Sequence, residues 1–325
     1  MRAIVCTDWG TPDTLTLQDI PAPTPGPGQV AIDVHACGLN FADTLMIQGK
    51  YQVRPDFPFS PGLEIAGTIS ALGDGVDALA LGDRVLGVIS YGGFAEVAVA
   101  DVDSVYKIPE NLSYPEAAGF PVAYGSSHLA LDDVAHVQPG QTLVVFGAAG
   151  GVGLTAVEIG KMMGATVIGV ASGDEKMQVV RDYGADHVID YRGEDVRARI
   201  KELTDGRGGD VFYDPVGGDM FDLALKSTAM GAKIIVVGFA SGTIPQIPAN
   251  YLLIKNVTVH GYYWGGYRAY KPQVMRDSME QLLAWAGEGK LKPHIAHTFP
   301  LEQAADALMM LVGRKSMGKT VVLVR

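Results

Sequence analysis

Short apolar segments alternate with turn-forming residues along the first third of the chain. The turn-rich segment PAPTPGPG is followed by VAIDVHACG, EIAGTISALG, DRVLGVIS and GGFAEVAVA, which have the length and branched residues of strands. This pattern predicts a mainly β domain over residues 1 to about 120. Beyond Ser113, a suitable helix N-cap, the apolar spacing in PEAAGFPVAYGSSHLALDDVA predicts a connecting helix.

From Gln141 onward, strand and helix patterns alternate. The predicted strands are TLVVFG, ATVIGVA, HVID, DVFYD, AKIIVVG and NVTVHGYY, and helical segments lie between them, the first from about Gly151 to Met163. The segments LVVF and IIVV are apolar on both faces, as in parallel strands that helices cover on both sides. We therefore expect a doubly wound parallel sheet.

The tail from about Gly265 departs from this alternation. Aromatic WGGYRAY is followed by an amphipathic helical pattern and then by KTVVLVR, a strand pattern with no partner in the preceding series. We expect this last strand to return to the first domain.

Composition narrows the possible partners. The 325 residues suggest two domains, and a formal charge of −11 disfavours binding to nucleic acid or to an anionic membrane surface. No apolar run reaches the roughly 18 residues that span a bilayer, and the start MRAIVCTDWG is unlike a signal peptide. We expect a soluble cytoplasmic protein with small-molecule partners. Cys6 and Cys37 are too few for a disulfide framework and are expected to be small buried side chains.

A glycine-rich segment follows the predicted strand LVVF directly. In GAAGGVG, Gly147, Gly150 and Gly153 have the GxxGxxG spacing at a strand-to-helix turn. Glycine is required there because the backbone turns tightly, a pyrophosphate approaches it closely and the helix packs on the strand. The N-terminus of the helix adds unpaired N–H groups and a positive dipole. The segment predicts a dinucleotide site that also includes Ala148, Ala149, Gly151 and Val152.

The end of the next strand decides between NADPH and NADH. An NAD enzyme places a carboxylate there, about 20 residues past the glycines, against the ribose 2′-hydroxyl. This chain has Ala171 and Ser172 instead, and Lys176 lies one helical turn further on, within reach of a 2′-phosphate. The alternative is a solvated helix lysine beside Asp174 and Glu175. We expect NADPH.

Several motifs together resemble one family. They are CGLNFADTLMIQGKY, PGLEIAG, GDRV, GGFAE, FGAAGGVGLTAVEIGKMMGA, SGDEK, DPVGG and GKTVV, and they extend over essentially the whole chain. The chain resembles the zinc-independent quinone oxidoreductases of the medium-chain dehydrogenase/reductase superfamily. The resemblance implies an α/β protein with a GroES-like, mainly β catalytic domain (residues 1–122 and 265–325), a Rossmann NADPH-binding domain (residues 123–264) and a homodimer.

The same resemblance implies that there is no metal site. The zinc-dependent branch has a ligand cysteine where this chain has Asn40, and a ligand histidine where it has Leu63. The pair His294 and His297 lies in a proline-bounded segment, and HxxH alone is more often a surface turn than a metal site.

The resemblance also implies specific site residues. Asn40, Asp43 and Tyr51 match the polar group that the family places beside the nicotinamide and the substrate. For Asn40 and Asp43 the alternative is capping of a helix start, and for Tyr51 it is packing of the ring. The remaining cofactor residues implied by the family are Ser126, Tyr191, Val216, Phe239, Tyr263, Trp264 and Arg314.

Three functions remain open. Without zinc, the acceptor must take hydride directly, and quinones do so because the developing charge is delocalised. The first expectation is NADPH-dependent reduction of a quinone. Activated C=C bonds in enals, enones or acrylate-like substrates meet the same requirement. An NADPH-binding protein without turnover is the third possibility, and RNA binding is disfavoured by the charge of −11.

Overall fold

The structure, a computed structural model, describes residues 1–313 and 316–325. Their contacts divide the chain into two compact units, residues 1–122 together with 279–325, and residues 123–278. Over the described ranges, every helix is too short or too polar to cross a membrane.

The strands run in chain order as β1 (Arg2–Val5), β2 (Thr16–Asp19), β3 (Gln29–Gly38), β4 (Glu64–Leu72), β5 (Arg84–Val88), β6 (Val97–Asp101), β7 (Val105–Lys107), β8 (Thr142–Phe146), β9 (Thr166–Ala171), β10 (His187–Asp190), β11 (Gly209–Asp214), β12 (Thr228–Val236), β13 (Thr258–Gly261), β14 (Ile295–Pro300) and β15 (Lys319–Leu323).

The helices are α1 (Phe41–Met46), α2 (Tyr114–Ala118), α3 (Pro121–Leu129), α4 (Gly151–Met162), α5 (Asp174–Asp182), α6 (Val196–Leu203), α7 (Asp219–Ser227), α8 (Ala249–Lys255), α9 (Tyr267–Tyr270), α10 (Pro272–Gly287) and α11 (Ala304–Val312). A π-helical segment, Ala130–Val134, continues α3. Short 3-10 turns lie at Pro12–Thr14, Val102–Ser104, Trp264–Gly266 and Leu301–Gln303.

The first unit is built on a mainly antiparallel sheet. Its strands follow the order β14-β15-β3-β4-β5-β7, and β6 also pairs with β3. Strand β15 pairs antiparallel with β3, with Val321 opposite Gly38 and Leu323 opposite Ala36. The expectation that KTVVLVR returns to the first domain is therefore confirmed.

The second unit contains a six-stranded sheet in the order β10-β9-β8-β11-β12-β13, and every neighbouring pair is parallel. Counted within this unit, the order is 3-2-1-4-5-6, which is the dinucleotide-binding arrangement. All five residues of β8 are buried, as the apolar pattern predicted. The doubly wound parallel sheet is confirmed.

The predicted connecting helix is interrupted. Its N-cap is Ser113, whose side chain accepts from the Glu116 backbone N–H while its own backbone N–H donates to the Glu116 carboxylate. The helix ends at Ala118, however, and α3 starts afresh at Pro121. Proline disfavours helical geometry in the residue before it but suits the first turn of a helix.

Residues 265–278, assigned above to the first domain, pack in the second unit. The Tyr267 hydroxyl donates to the Asp133 carboxylate at 2.8 Å, and Lys271 Nζ lies 2.8 Å from the same carboxylate. Ser278 is hydrogen-bonded to His128 Nδ1 at 2.8 Å. These contacts hold the segment against α3 and its π-helical extension.

Candidate active site and dinucleotide site

In the first unit, Asn40 and Asp43 lie at the start of α1, directly after β3 ends at Gly38. The Asn40 backbone N–H donates to the Asp43 carboxylate at 2.7 Å, so Asp43 does cap the helix start. The other Asp43 oxygen accepts from the Gly62 backbone N–H at 3.2 Å. Asp43 therefore links two turns of the chain.

The Asn40 side chain has a different environment. Its Oδ1 accepts from Lys319 Nζ at 2.9 Å, and its Nδ2 donates to Glu64 Oε1 at 2.9 Å. Lys319 and Glu64 were not among the predicted site residues. The signal was present, since each is a charged residue in or at the start of an otherwise apolar segment, LEIAG or KTVVLV. A charged residue at such a position is rarely buried unless it is paired.

Burial dominates the electrostatics around α1. It raises the pKa of Asp43 to about 7, against the lowering effect of the N–H donors of Asn40 and Gly62 and of the Lys319 charge. Burial also raises the pKa of the Cys37 thiol well above its usual value, and the Asp43 and Glu64 carboxylates act in the same direction. The raised pKa favours the neutral form of the Cys37 thiol, which is the less nucleophilic form.

Tyr51 lies in the loop that follows α1. Its ring is half-buried and packs against the hydrophobic core of the first unit. Packing of the ring, the alternative considered for Tyr51, is therefore present. Because the packing involves the ring, it is compatible with a separate role for the hydroxyl.

Neither position that carries a zinc ligand in the zinc-dependent branch holds a ligand here. Leu63 is a buried hydrocarbon, and the Asn40 amide is already bound by Lys319 and Glu64. Throughout residues 1–313 and 316–325, no cluster of three or more His, Cys, Asp or Glu side chains could hold a metal ion.

In the second unit, the glycine segment forms the turn between β8 and α4. Gly147 has a φ of 57°, in the left-handed region that favours glycine. A Cβ on Gly153 would lie 2.2 Å from the Gly147 carbonyl oxygen, so only glycine allows the helix to start so close to the strand. Because the first N–H groups of a helix have no intrahelical partner, the start of α4 suits a phosphate group.

Ser172 directly follows strand β9 and Tyr191 directly follows the adjacent strand β10, so both residues lie at the carboxyl ends of these strands. The Tyr191 backbone N–H donates to Ala171, and the Ser172 side chain is hydrogen-bonded to Asp190. Lys176 lies in the first turn of α5. The structure thus brings Ser172 and Tyr191 together.

Asp190 and Arg192, which lie beside Ser172 and Tyr191, were not among the predicted site residues. The Asp190 carboxylate accepts from the backbone N–H groups of Arg192 and Gly193 as well as from Ser172, and these bonds lower its pKa. The Arg192 guanidinium lies 5.9 Å from the centroid of the Tyr191 ring. The sequence signal was the arginine next to Tyr191 in DYR.

Val216 lies beside the glycine turn. A Cβ on Gly147 would be 3.3 Å from Val216 Cγ2, and the Val216 backbone N–H is held by the buried carboxylate of Asp214 at 2.9 Å. Phe239 adjoins the same loop, because a Cβ on Gly217 would be 2.9 Å from its Cδ1. These contacts place Val216 and Phe239 around the ends of β8 and β11.

The other predicted cofactor residues differ in exposure. Ser126 is buried within α3, and Trp264 is buried against that helix, where a Cβ on Gly125 would approach Trp264 Cζ2 to 2.6 Å. Tyr263 is exposed. Arg314 lies outside the described residues.

The parallel sheet, its glycine turn and the mainly β unit define a medium-chain dehydrogenase/reductase. Two family models agree. The model "Alcohol dehydrogenase GroES-like domain" matches residues 26–110, and the model "Zinc-binding dehydrogenase" matches residues 151–285.

Individual relatives narrow the class. The chain is 45% identical over 325 residues to a "Quinone oxidoreductase-like protein 2 homolog" of Nematostella vectensis, covering 99% of this chain and 88% of the relative. The Escherichia coli quinone oxidoreductase solved with NADPH shares 27% identity with a TM-score of 0.93, over 100% of each chain. A mycobacterial protein, also complexed with NADPH, shares 32% identity with a TM-score of 0.93, again over 100% of each chain. The chain belongs to the quinone oxidoreductase family, and the predicted family is confirmed.

Proposed function

We propose that this protein is an NADPH-dependent oxidoreductase that transfers hydride to a quinone without zinc. The observation that carries the proposal is the glycine turn between β8 and α4, at the carboxyl end of the first strand of a Rossmann sheet. Membership of the quinone oxidoreductase family supports the redox chemistry, and two structural neighbours were solved with NADPH.

The residues of the second unit fit this cofactor. The turn from Gly147 to Val152 and the start of α4 would hold the pyrophosphate. Ser172 stands where an NAD enzyme has its ribose-binding carboxylate. The nearby Asp190 carboxylate already accepts hydrogen bonds from Ser172 and from two backbone N–H groups. Lys176 and Tyr191 would contact the 2′-phosphate of NADPH.

NADPH, when bound, supplies the hydride. The residues of this chain would orient the acceptor and supply hydrogen bonds to its oxygen as negative charge develops there. Asn40 would donate through its amide N–H, and Tyr51 through its hydroxyl. Asp43 would hold the turn that carries Asn40 and take no part in the proton transfer. Because a quinone spreads the developing charge over its ring, such donors suffice and no strong acid is needed.

The residues at the two positions that carry zinc ligands in the zinc-dependent branch support independence from zinc. Leu63 offers no donor atom, and the Asn40 oxygen already accepts from a buried ammonium, Lys319. The Asn40 nitrogen donates to Glu64, so a metal ion at Asn40 would have to displace a buried, charge-assisted hydrogen bond. We expect activity to survive exhaustive chelation. A structural or catalytic zinc site would hold about one zinc ion per chain, and we expect elemental analysis to find less than about 0.1.

The decisive experiment is a panel of acceptors. NADPH oxidation is followed with benzoquinones and naphthoquinones on one side, and with enals, enones and acrylate-like substrates on the other. Faster turnover of quinones supports the proposal, and faster turnover of conjugated carbonyls assigns the protein to reduction of C=C bonds. Tight binding of NADPH without turnover of any acceptor would establish the non-catalytic alternative.

We also propose a homodimer joined through the second unit. Strand β13 is the edge of the parallel sheet, so its outer backbone groups have no partner within the sheet that the described residues form. Helix α8, just before this strand, exposes Leu253 by 80% and Ile254 by 70%. A second copy related by a two-fold axis would cover both features.

A further inference from the structure

A buried ion pair lies beneath the start of α1. Lys319 Nζ is 2.6 Å from Glu64 Oε1, and the two side chains are 8% and 0% exposed. Withdrawing two charges from water is unfavourable, and hydrophobic residues of similar volume often serve stability as well or better. The pair therefore needs an explanation other than stability.

Every polar group of the pair has a partner. Besides Glu64, the Lys319 ammonium donates to the Leu39 carbonyl at 2.7 Å and to Asn40 Oδ1 at 2.9 Å, which uses all three of its hydrogens. Glu64 Oε1 also accepts from Asn40 Nδ2, and Oε2 accepts from the Val122 backbone N–H at 2.8 Å. The bonds of both charged groups meet at Asn40.

These bonds fix the orientation of the Asn40 amide. An ammonium only donates and a carboxylate only accepts, so the amide oxygen must face Lys319 and the nitrogen must face Glu64. Turning the amide over would lose two charge-assisted hydrogen bonds. The observed orientation is therefore favoured by a factor on the order of 100 or more.

The surrounding backbone is shaped around the pair. A Cβ on Gly38 would lie 2.6 Å from Glu64 Oε1 and 2.3 Å from the Ala118 carbonyl oxygen. A Cβ on Gly119 would lie 3.2 Å from Lys319 Cβ. Glycine at both positions allows the two charged side chains to reach the start of α1.

We propose that Lys319 and Glu64 are positioning residues, which hold the Asn40 amide so that its second Nδ2 hydrogen is directed to the oxygen of the hydride acceptor. The inference rests on the proposed function, in which Asn40 donates to the acceptor. One Nδ2 hydrogen is bound by Glu64, and the planarity of the amide fixes the direction of the other. Lys319 and Glu64 act through Asn40 and do not touch the substrate.

The first test is a mutant cycle. Replacing both residues, Lys319→Met with Glu64→Gln, leaves no uncompensated charge in the interior. The side-chain amide introduced by Glu64→Gln can meet Asn40 with either its oxygen or its nitrogen, so the orientation of Asn40 is no longer fixed. We expect kcat to fall about tenfold, with little change in KM for NADPH, because orientation alone is lost.

The same double substitution is then made in an Asn40→Ala background. If the pair acts through Asn40, kcat there changes by less than about twofold relative to Asn40→Ala alone. An equal loss of kcat in both backgrounds, or no loss in either, would overturn the proposal. The single variant Lys319→Met keeps the Glu64 carboxylate buried without its cationic partner. Comparing its folding with that of the double variant shows whether both charges must be removed together.

The second test does not use activity. The chain contains four asparagines, so a sample labelled with ¹⁵N in asparagine side chains gives four amide pairs. The pair that disappears in Asn40→Ala belongs to Asn40. We expect Lys319→Met/Glu64→Gln to shift or broaden this pair while the other three stay in place, and an unchanged Asn40 pair would refute the inference. If wild type reduces no acceptor, the proposed function fails, and the spectrum still tests how the amide is held.

Discussion

At the level of single residues, the proposed contacts around Ser172 predict a preference for NADPH. Lys176→Ala removes a cation from the first turn of α5. Losing one charged phosphate contact costs about 1.5 to 3 kcal/mol, so NADPH should bind at least roughly tenfold more weakly, and NADH almost as before. Titration of both cofactors measures this.

Lys201→Ala is the matched control, because Lys201 is an exposed lysine on another helix of the same unit, α6. It should leave both affinities unchanged. An equal loss for NADPH and NADH in Lys176→Ala would contradict the assignment of this lysine to the 2′-phosphate.

Tyr51→Phe keeps the ring packed on the core and deletes only the hydroxyl. A single donor to a developing oxyanion contributes about 1 to 4 kcal/mol. We expect turnover to fall by roughly one to two orders of magnitude with a conjugated carbonyl, and less with a quinone, whose product can take its proton from water. Complete loss of activity toward both classes, with NADPH still bound, would make Tyr51 an obligatory acid.

The buried Asp43 carboxyl should give the protein a measurable pH dependence. Its pKa is raised from 3.8 to about 7, so between these values the folded protein holds a proton that the unfolded chain has released. The contribution of Asp43 to the free energy of unfolding therefore falls as pH rises through this window, by up to about 1.4 kcal/mol per pH unit. Groups facing this carboxyl are Lys319, Glu64 and the Cys37 thiol.

Asp43→Asn removes this titration and adds a constant loss, because Asn has one acceptor oxygen for the two N–H donors. Relative to wild type, the variant should gain stability steadily from about pH 4 to pH 7, the window set by the two values of the Asp43 pKa. Urea unfolding of both proteins measures the difference. A difference that is constant or that falls with pH would show that Asp43 is ionised throughout.

The sequence indicated Asn40 and Asp43 through their motif, but it did not indicate what holds Asn40. Its two side-chain partners lie 24 and 279 residues away. No periodicity connects positions so distant, and a charged residue within an apolar strand signals only that a partner exists. The pairing follows from the strand register, since Glu64 and Lys319 both begin strands next to β3.

At the level of elements, a substitution in the turn from β8 to α4 tests the proposed cofactor site most directly. In Gly153→Ala the new methyl group would meet the backbone of Gly147 and Ala148 at 2.2 to 2.9 Å, which opens the turn. We expect at least roughly tenfold weaker binding of NADPH and NADH alike, because the pyrophosphate subsite is shared, a loss equivalent to about 1.4 kcal/mol or more.

Gly160→Ala on the same helix provides the control. Its Cβ would approach the Leu143 side chain at 2.5 Å, so it perturbs the packing of α4 and leaves the turn as it is. Stability should decrease while cofactor affinity is retained. If both variants lose affinity equally, the effect comes from the helix and the turn holds no cofactor.

The elements that the sequence predicted well are those with a long apolar pattern. Strand β8 and helix α4 appear almost at the predicted bounds because burial on both faces leaves little ambiguity. The connecting helix was predicted as one element and is divided at Pro121, where local backbone geometry overrides the apolar spacing.

At the level of the whole molecule, the first unit combines both ends of the chain. The pattern showed that KTVVLVR lacked a partner, but only the structure gives the partner, β3, and its antiparallel register. Residues 265–278 carried no signal for their side-chain contacts with Asp133 and His128. Long-range pairing and the packing of short segments depend on three-dimensional complementarity, which a one-dimensional pattern does not contain.

The proposed dimer can be tested by placing a charge in its interface. If a second copy covers β13 and α8, a charge placed in that interface must lose its hydration on association, and the dimer should dissociate. Leu253→Glu introduces such a charge on α8, where wild-type Leu253 is 80% exposed in the single chain. We expect wild type to scatter light as a dimer at micromolar concentration, and Leu253→Glu to scatter as a monomer with its cofactor affinity retained. Leu81→Glu is the control, because Leu81 is a similarly exposed leucine, at 66%, that belongs to the first unit, and this variant should remain dimeric. A monomeric wild type, or dissociation by both substitutions, would contradict an interface at the edge of the parallel sheet.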